Sequence, residues 1–199
     1  MSATVTTTRA RLLAAAQQLM EEGGYGAASV VAIAERAGVA SGTLYRHFAS
    51  KEELFVEVFR LVCAREERAM RTASKGAAAS GGAGEWLQTV LGTFARRALS
   101  NPRLAWALIA EPVDPRVDAE RLAYRARYAA VISEGLEAGI ASGELPAQDV
   151  RLTAAALVGG CGEALAGPLS PVGSDDHRPE EIVDALRTFV RRAVGAGES

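Results

Sequence analysis

The sequence predicts an all-α protein, and three observations carry that prediction. Aromatic residues are only 6% of the 199 residues, and Ala, Leu and Val dominate the apolar set. Apolar positions recur at i, i+3, i+4 and i+7 rather than in alternation, the spacing of one helix face. The breaks between periodic stretches carry helix start and stop signals: Ser, Asn or Asp caps, proline at first helical positions, glycine at ends. Together they mark about nine helices and no strand.

In chain order, Leu12, Leu13, Ala16, Leu19 and Met20 make a first amphipathic helix from about Thr8, closed by Gly23-Gly24. Arg9 and Arg11 stand at its start, as phosphate contacts or as plain solvated charge. Val30, Ile33, Ala34 and Ala37 follow at helical spacing, with Ser29 placed to cap and Gly38 to end that helix in the left-handed conformation. Leu44 and Phe48 then form the buried side of a second short helix. Its other side carries Gly42, Thr43, Arg46 and His47, with Tyr45 at the flank. Two short helices around a tight turn, the second bearing small, hydrogen-bonding and cationic groups, make a helix-turn-helix suited to a major groove.

Ser50-Lys51-Glu52-Glu53 reads as an S-x-x-E capping box opening a helix through Leu54, Phe55, Val58, Leu61 and Val62 to about Thr72. Lys51, at its positively polarised start, is expected to meet phosphate. Ala73–Gly84, rich in Gly, Ala and Ser, reads as a flexible connection. Trp86, Val90 and Phe94 mark the next helix, ending near Ser100; Asn101-Pro102 and Asp114-Pro115 each open another. The second of these is long, carries Leu122 to Ile140 and stops at Gly143. Pro146–Asp149 opens a helix to Gly167-Pro168. After the polar loop Ser170–Pro179, Ile182, Ala185, Leu186, Phe189, Val190 and Ala193 give a last amphipathic helix.

Hydrophobic residues make up 49% of the chain, enough for a sizeable core, and the net charge of −2 argues against a protein that coats nucleic acid over its whole surface. Residues 1–75 hold ten Lys and Arg against eight Asp and Glu, while residues 76–199 hold twelve against sixteen. The small basic excess therefore lies with the helix-turn-helix. Cys63 and Cys161, far apart in apolar contexts, are expected to be buried small hydrophobes rather than a disulfide. The two histidines, His47 and His177, are not grouped with other metal ligands, and neither a phosphate loop after a strand nor a nucleophile elbow is present. That inventory points away from catalysis, and no cofactor is expected. With no basic-then-apolar leader and no apolar stretch long enough to span a bilayer, the expectation is a soluble, cytoplasmic protein without a membrane partner.

SVVAIAERAGV, the G-T-L-Y-R-H-F run from Gly42 to Phe48 and the S-K-E-E-L helix start together resemble the DNA-binding domain of the TetR family of bacterial transcriptional regulators. The resemblance implies a homodimer on a palindromic operator in double-stranded DNA, released by a small-molecule effector. Carried over by residue, Ser29 and Lys51 would touch phosphates, and Thr43 and Tyr45 would pack on backbone and base edges. Ser41, Gly42, Arg46 and His47 are the candidates for reading sequence. Ala40 stands where the family often has a capping Ser or Thr, and Val31 where some members place a polar base-contacting residue. The expected organisation is a DNA-binding domain at 1–50, a connecting helix at 51–72, a linker at 73–84, and an effector-binding and dimerisation domain at 85–199.

The last two helices are where the family builds its dimer, which makes Leu157, Cys161, Leu165, Ile182, Leu186, Phe189 and Val190 the expected interface. For the unidentified effector, Trp86, Phe94, Trp106, Tyr124 and Tyr128 offer apolar walls with polar tips. Glu163, alone in a small and apolar helix, is read as a buried charge that answers a cationic ligand or an arginine. The competing reading is a ligand-independent or architectural DNA-binding factor. Some 115 residues beyond the linker exceed what dimerisation alone requires.

Overall fold

The computed structural model describes residues 7–77, 81–112, 114–172 and 178–196, and every regular element among them is helical. The order is α1 (Thr8–Ala27), α2 (Val30–Ala37), a 3-10 helix (Ser41–Arg46), α3 (Lys51–Ala77), α4 (Ala83–Ser100), α5 (Pro102–Ile109), α6 (Pro115–Ser142), α7 (Val150–Leu169) and α8 (Pro179–Ala193). The all-α expectation holds among these residues. His177 and the centres of both polar loops lie outside them.

Most boundaries follow from the caps. Ser29, Asn101 and Asp149 each accept a backbone N–H from three residues on, at 3.1, 3.4 and 2.9 Å. Gly143 ends its helix with φ +79°. Gly23-Gly24 is a kink rather than an end: α1 resumes after it as far as Ala27. Two other details differ from expectation. Glu53 donates its backbone N–H to Ser50 Oγ as a capping box requires, but its carboxylate accepts from Ala49 N–H, one residue further back. The helix begun there continues to Ala77, because Ala and Ser next to Lys75 sustain a helix as readily as they form a linker.

The helices assemble into two compact units. One contains residues up to Val62 together with Asn101–Arg121; the other contains Cys63–Ser100 together with residues from Leu122 onward. The core of the first is Leu12, Ala16, Leu19, Ile33, Leu44, Phe48, Leu54 and Phe55, joined by Leu104 and Ala107 of α5. Segment 101–121 is also tied down by polar contacts. Glu111 accepts the Tyr25 N–H at 3.0 Å, immediately after the kink, and its carboxylate fills the space a Cβ at Gly24 would need. With φ +75°, Gly24 is in the region open to glycine alone. Arg121 donates to the carbonyls of Ala107, Leu108 and Glu111, closing the end of α5.

In the second unit α8 lies along α4, and α7 packs against both. Val183, Leu186 and Val190 of α8 are buried there, as are Leu157, Cys161 and Leu165 of α7. Phe94, Tyr124 and Tyr128 stack at centroid distances of 5.7 and 6.0 Å. Tyr128 donates to the Cys63 carbonyl at 3.3 Å, and burial pushes its hydroxyl well above the usual tyrosine range. Salt bridges Arg97–Glu66, Arg127–Glu67 and Arg71–Glu134 run over the outside of this packing.

Candidate nucleic-acid interface

The reading surface is a segment pinned at two points. Leu44 and Phe48, four residues apart, are 0% and 1% exposed and anchor it in the core. Between and before them Ser41, Gly42, Tyr45 and Arg46 face outward, with Thr43 and His47 half-buried. The segment is a 3-10 helix rather than an α-helix. Thr43 N–H bonds the Ala40 carbonyl at 2.8 Å and His47 N–H the Leu44 carbonyl at 2.9 Å, each over three residues. Three residues per turn stacks i and i+3 more directly than an α-helix does. Ala40 provides no side-chain cap at its start, and Ser41 does not substitute.

α2 holds the turn before it. Its end is a left-handed glycine, Gly38 at φ +65°, whose N–H returns to Glu35 and whose successor Val39 bonds the Ala34 carbonyl. Ser29 is exposed at the other end of α2, and Val31 is 55% exposed. Lys51 is half-buried, with its ammonium 4.9 Å from the Tyr25 ring centre and 5.1 Å from that of Phe55, a cation held on two aromatic faces. Arg9 and Arg11, exposed at the start of α1, both make contacts within their own unit. Arg9 binds the Glu57 carboxylate and covers the Phe48 ring, and Arg11 binds carbonyls at the end of α2. Sequence reasoning missed these contacts because nothing in the chain marks which arginine folds back on its own backbone.

The expected effector and dimer residues divide. Phe94, Tyr124 and Tyr128 do come together, and Trp86 lies against Gly135 in the same unit; Trp106 belongs to the other unit, on α5. Glu163 is exposed, not buried, since α7 turns Ala154, Leu157, Cys161, Leu165 and Leu169 inward and Glu163 away from them. Leu157, Cys161 and Leu165 on that inner face of α7, and Leu186 and Val190 on the face of α8 that packs on α4, fill their own unit's core and are not surface to offer a partner. Phe189, 44% exposed, and half-buried Ile182 remain accessible. Phe189 lines a shallow groove with Ala185, Thr188, Arg192 and Ala193. Beside it α7 leaves most of its length uncovered, and a Cβ at Gly159 or Gly162 would meet nothing within 4 Å. By length and composition α7 is apolar enough to cross a bilayer, contrary to the sequence expectation. Its apolar character comes from Leu, Val and Ala, on a helix whose buried face packs within the unit.

Residues 12–58 match the family of bacterial regulatory proteins named tetR. Among curated relatives, the transcriptional repressor KstR of Mycolicibacterium smegmatis is 39% identical over 101 residues, 50% of this chain and 48% of that protein. The chain thus spans about half the length of this relative. Among solved structures, the TetR-family regulator PfmR from Thermus thermophilus is 25% identical with a TM-score of 0.65, over 98% of this chain and 100% of that one. FadR from Bacillus subtilis, solved in complex with stearoyl-CoA, has the same fold at 21% identity, with a TM-score of 0.75 over 92% and 98% of the two chains.

Proposed function

We propose that the chain, whose residues 12–58 match the family of bacterial regulatory proteins named tetR, is a ligand-responsive transcriptional regulator of that family, a repressor that binds a palindromic operator as a homodimer and is released by a small molecule. The observation that carries this is the reading segment: Leu44 and Phe48 lock it to the core while Ser41, Gly42, Tyr45 and Arg46 stand free. Arg46 is the guanine reader, since a guanidinium fork matches O6 and N7 of guanine. Ser29 and Lys51 meet phosphate on either side, and Thr43, Tyr45 and His47 complete the contact. Dimerisation supplies the affinity that one small, weakly basic unit lacks, because each additional phosphate contact releases counterions. The accessible surface on Phe189, Ile182 and the bare small-residue face of α7 supports a partner there. The effector belongs to the second unit, and the stearoyl-CoA complex of FadR supports a small-molecule site in this fold.

Selection of duplexes from a random pool tests the proposal. The wild-type chain is expected to enrich a two-fold symmetric site, and Arg46→Ala to lose preference at one guanine per half-site, worth about 1–3 kcal/mol. Failure of the wild type to enrich any sequence would refute the DNA-binding reading.

A further inference from the structure

We propose that Arg11, seconded by Arg9, is a positioning residue for sequence reading: the two arginines of the first turn of α1 clamp the reading segment at its entry and its exit, and neither touches DNA phosphate. The inference rests on the reading segment binding DNA. It follows from where the backbone runs out of partners. At the end of α2 the Gly38 and Val39 N–H groups fold back to Glu35 and Ala34, at 3.0 Å each. The carbonyls of Ala37, the last residue of α2, and of Gly38, its C-cap, have no later helical N–H to accept from. Arg11 supplies the donors from another helix. Its Nε reaches the Ala37 carbonyl at 3.0 Å and its Nη2 the Gly38 carbonyl at 3.0 Å, with a further contact from Nη2 to Ala37.

A planar cation in that place also answers the negative end of the α2 dipole. It sits against the glycine that turns the chain: a Cβ on Gly38 would lie 3.4 Å from Nη2. At the other end of the segment Arg9 stacks 4.9 Å from the Phe48 ring centre while its Nη2 binds the Glu57 carboxylate of α3. The exposed groups of residues 41–47 are thereby suspended between two fixed points, both governed by α1. A groove-reading side chain needs a fixed origin, and the clamp provides it. Two arginines engaged this way commit donors to the protein, so their positive charge adds to the local field but not to the direct phosphate contacts.

The test measures affinity against salt for Arg11→Lys and Arg11→Ala, on the duplex the wild type enriches and on an unrelated duplex of equal length. A phosphate contact adds about 0.9 to the slope of log K against log salt, whereas a clamp adds nothing. Expected for Arg11→Ala is an unchanged slope and about a tenfold loss on the selected duplex, one base contact's worth, with little change on the unrelated one. Arg11→Lys keeps the charge but not the fork, and is expected to follow Ala rather than the wild type. A slope reduced by about one with equal loss on both duplexes, and full rescue by lysine, would make Arg11 a phosphate contact and overturn the inference. Unchanged affinity on both duplexes would also overturn it, as would a loss on both that merely tracks the folded fraction by circular dichroism. A wild type that selects no sequence would refute DNA reading itself, a separate result.

Discussion

Replacing Gly135 with alanine inverts a familiar rule. Inside an exposed helix, Gly→Ala stabilises by about 1 kcal/mol, because alanine restricts the unfolded chain and favours the helix. Gly135 lies within α6, yet a Cβ there would fall 2.3 Å from Cζ3 and 2.4 Å from Cε3 of Trp86. Carbon atoms in contact sit about 3.5–4.0 Å apart, so the indole would have to retreat by more than 1 Å. A rigid bicyclic ring cannot do this by a small torsion, and overpacking of this kind costs about 1–3 kcal/mol. The net expectation is a loss of up to about 2 kcal/mol once the helical gain is subtracted. Gly92 of α4 is the control. There the new Cβ would meet Arg187 Cγ and Cδ at 3.2 and 3.3 Å, the stem of a flexible side chain that can give way. Gly92→Ala is therefore expected near neutrality. Urea unfolding followed by circular dichroism compares the two, and tryptophan fluorescence reports on the indole. Equal midpoints for Gly135→Ala and Gly92→Ala, or a midpoint for Gly135→Ala above wild type, would refute the steric reasoning.

Two further outcomes follow from the second unit. Phe189→Asp alters a side chain that is 44% exposed, leaving the buried Val183, Leu186 and Val190 in place. It is expected to yield folded monomers with weakened operator binding; sedimentation that still shows a dimer would remove α8 from the proposed interface. Burial pushes the Cys161 thiol up to about 11 from an ordinary 9.0. The thiol should therefore resist a thiol reagent at pH 8 until the chain unfolds. The sign for stability follows: between those two values the unfolded thiol ionises while the folded one stays protonated. The Cys161 contribution is thus intact below pH 9 and lost as pH rises toward 11, and Cys161→Ala should flatten that part of the profile.

The helices and their ends were legible because each is a local matter. Ser29, Asn101 and Asp149 cap in place, Gly38 and Gly143 terminate in place, and the residues needed lie within a few positions of each other. The helix-turn-helix was legible for the same reason: the inward spacing of Leu44 and Phe48 determines which neighbours face out. What the chain could not announce was pairing at a distance. An apolar stripe declares that a face will be buried but not against what. Leu186 and Val190 thus looked like dimer surface when they belong to the packing of α8 on α4, while Phe189 and Ile182, at the stripe's edge, are left accessible. Glu163 looked buried because its neighbours are apolar, but they are small residues on an uncovered face. The placing of Arg11 on the Ala37 and Gly38 carbonyls depends on how α1 crosses α2, which no local pattern encodes.

The bond from Tyr25 to Glu111 joins residues 86 positions apart, and Leu104 and Ala107 complete a core begun by Leu12. This gives the N-terminal unit a schedule. During synthesis the ribosome delivers α1, α2, the reading segment and the start of α3 long before the residues that close their core. Until α5 emerges, the buried faces of those helices have one wall missing and the Gly24 kink has no carboxylate to hold it. The helix-turn-helix, first in sequence, is therefore not the first part to be finished. A fragment cut at Val62 would carry every residue of the reading surface and still lack part of what makes it a domain.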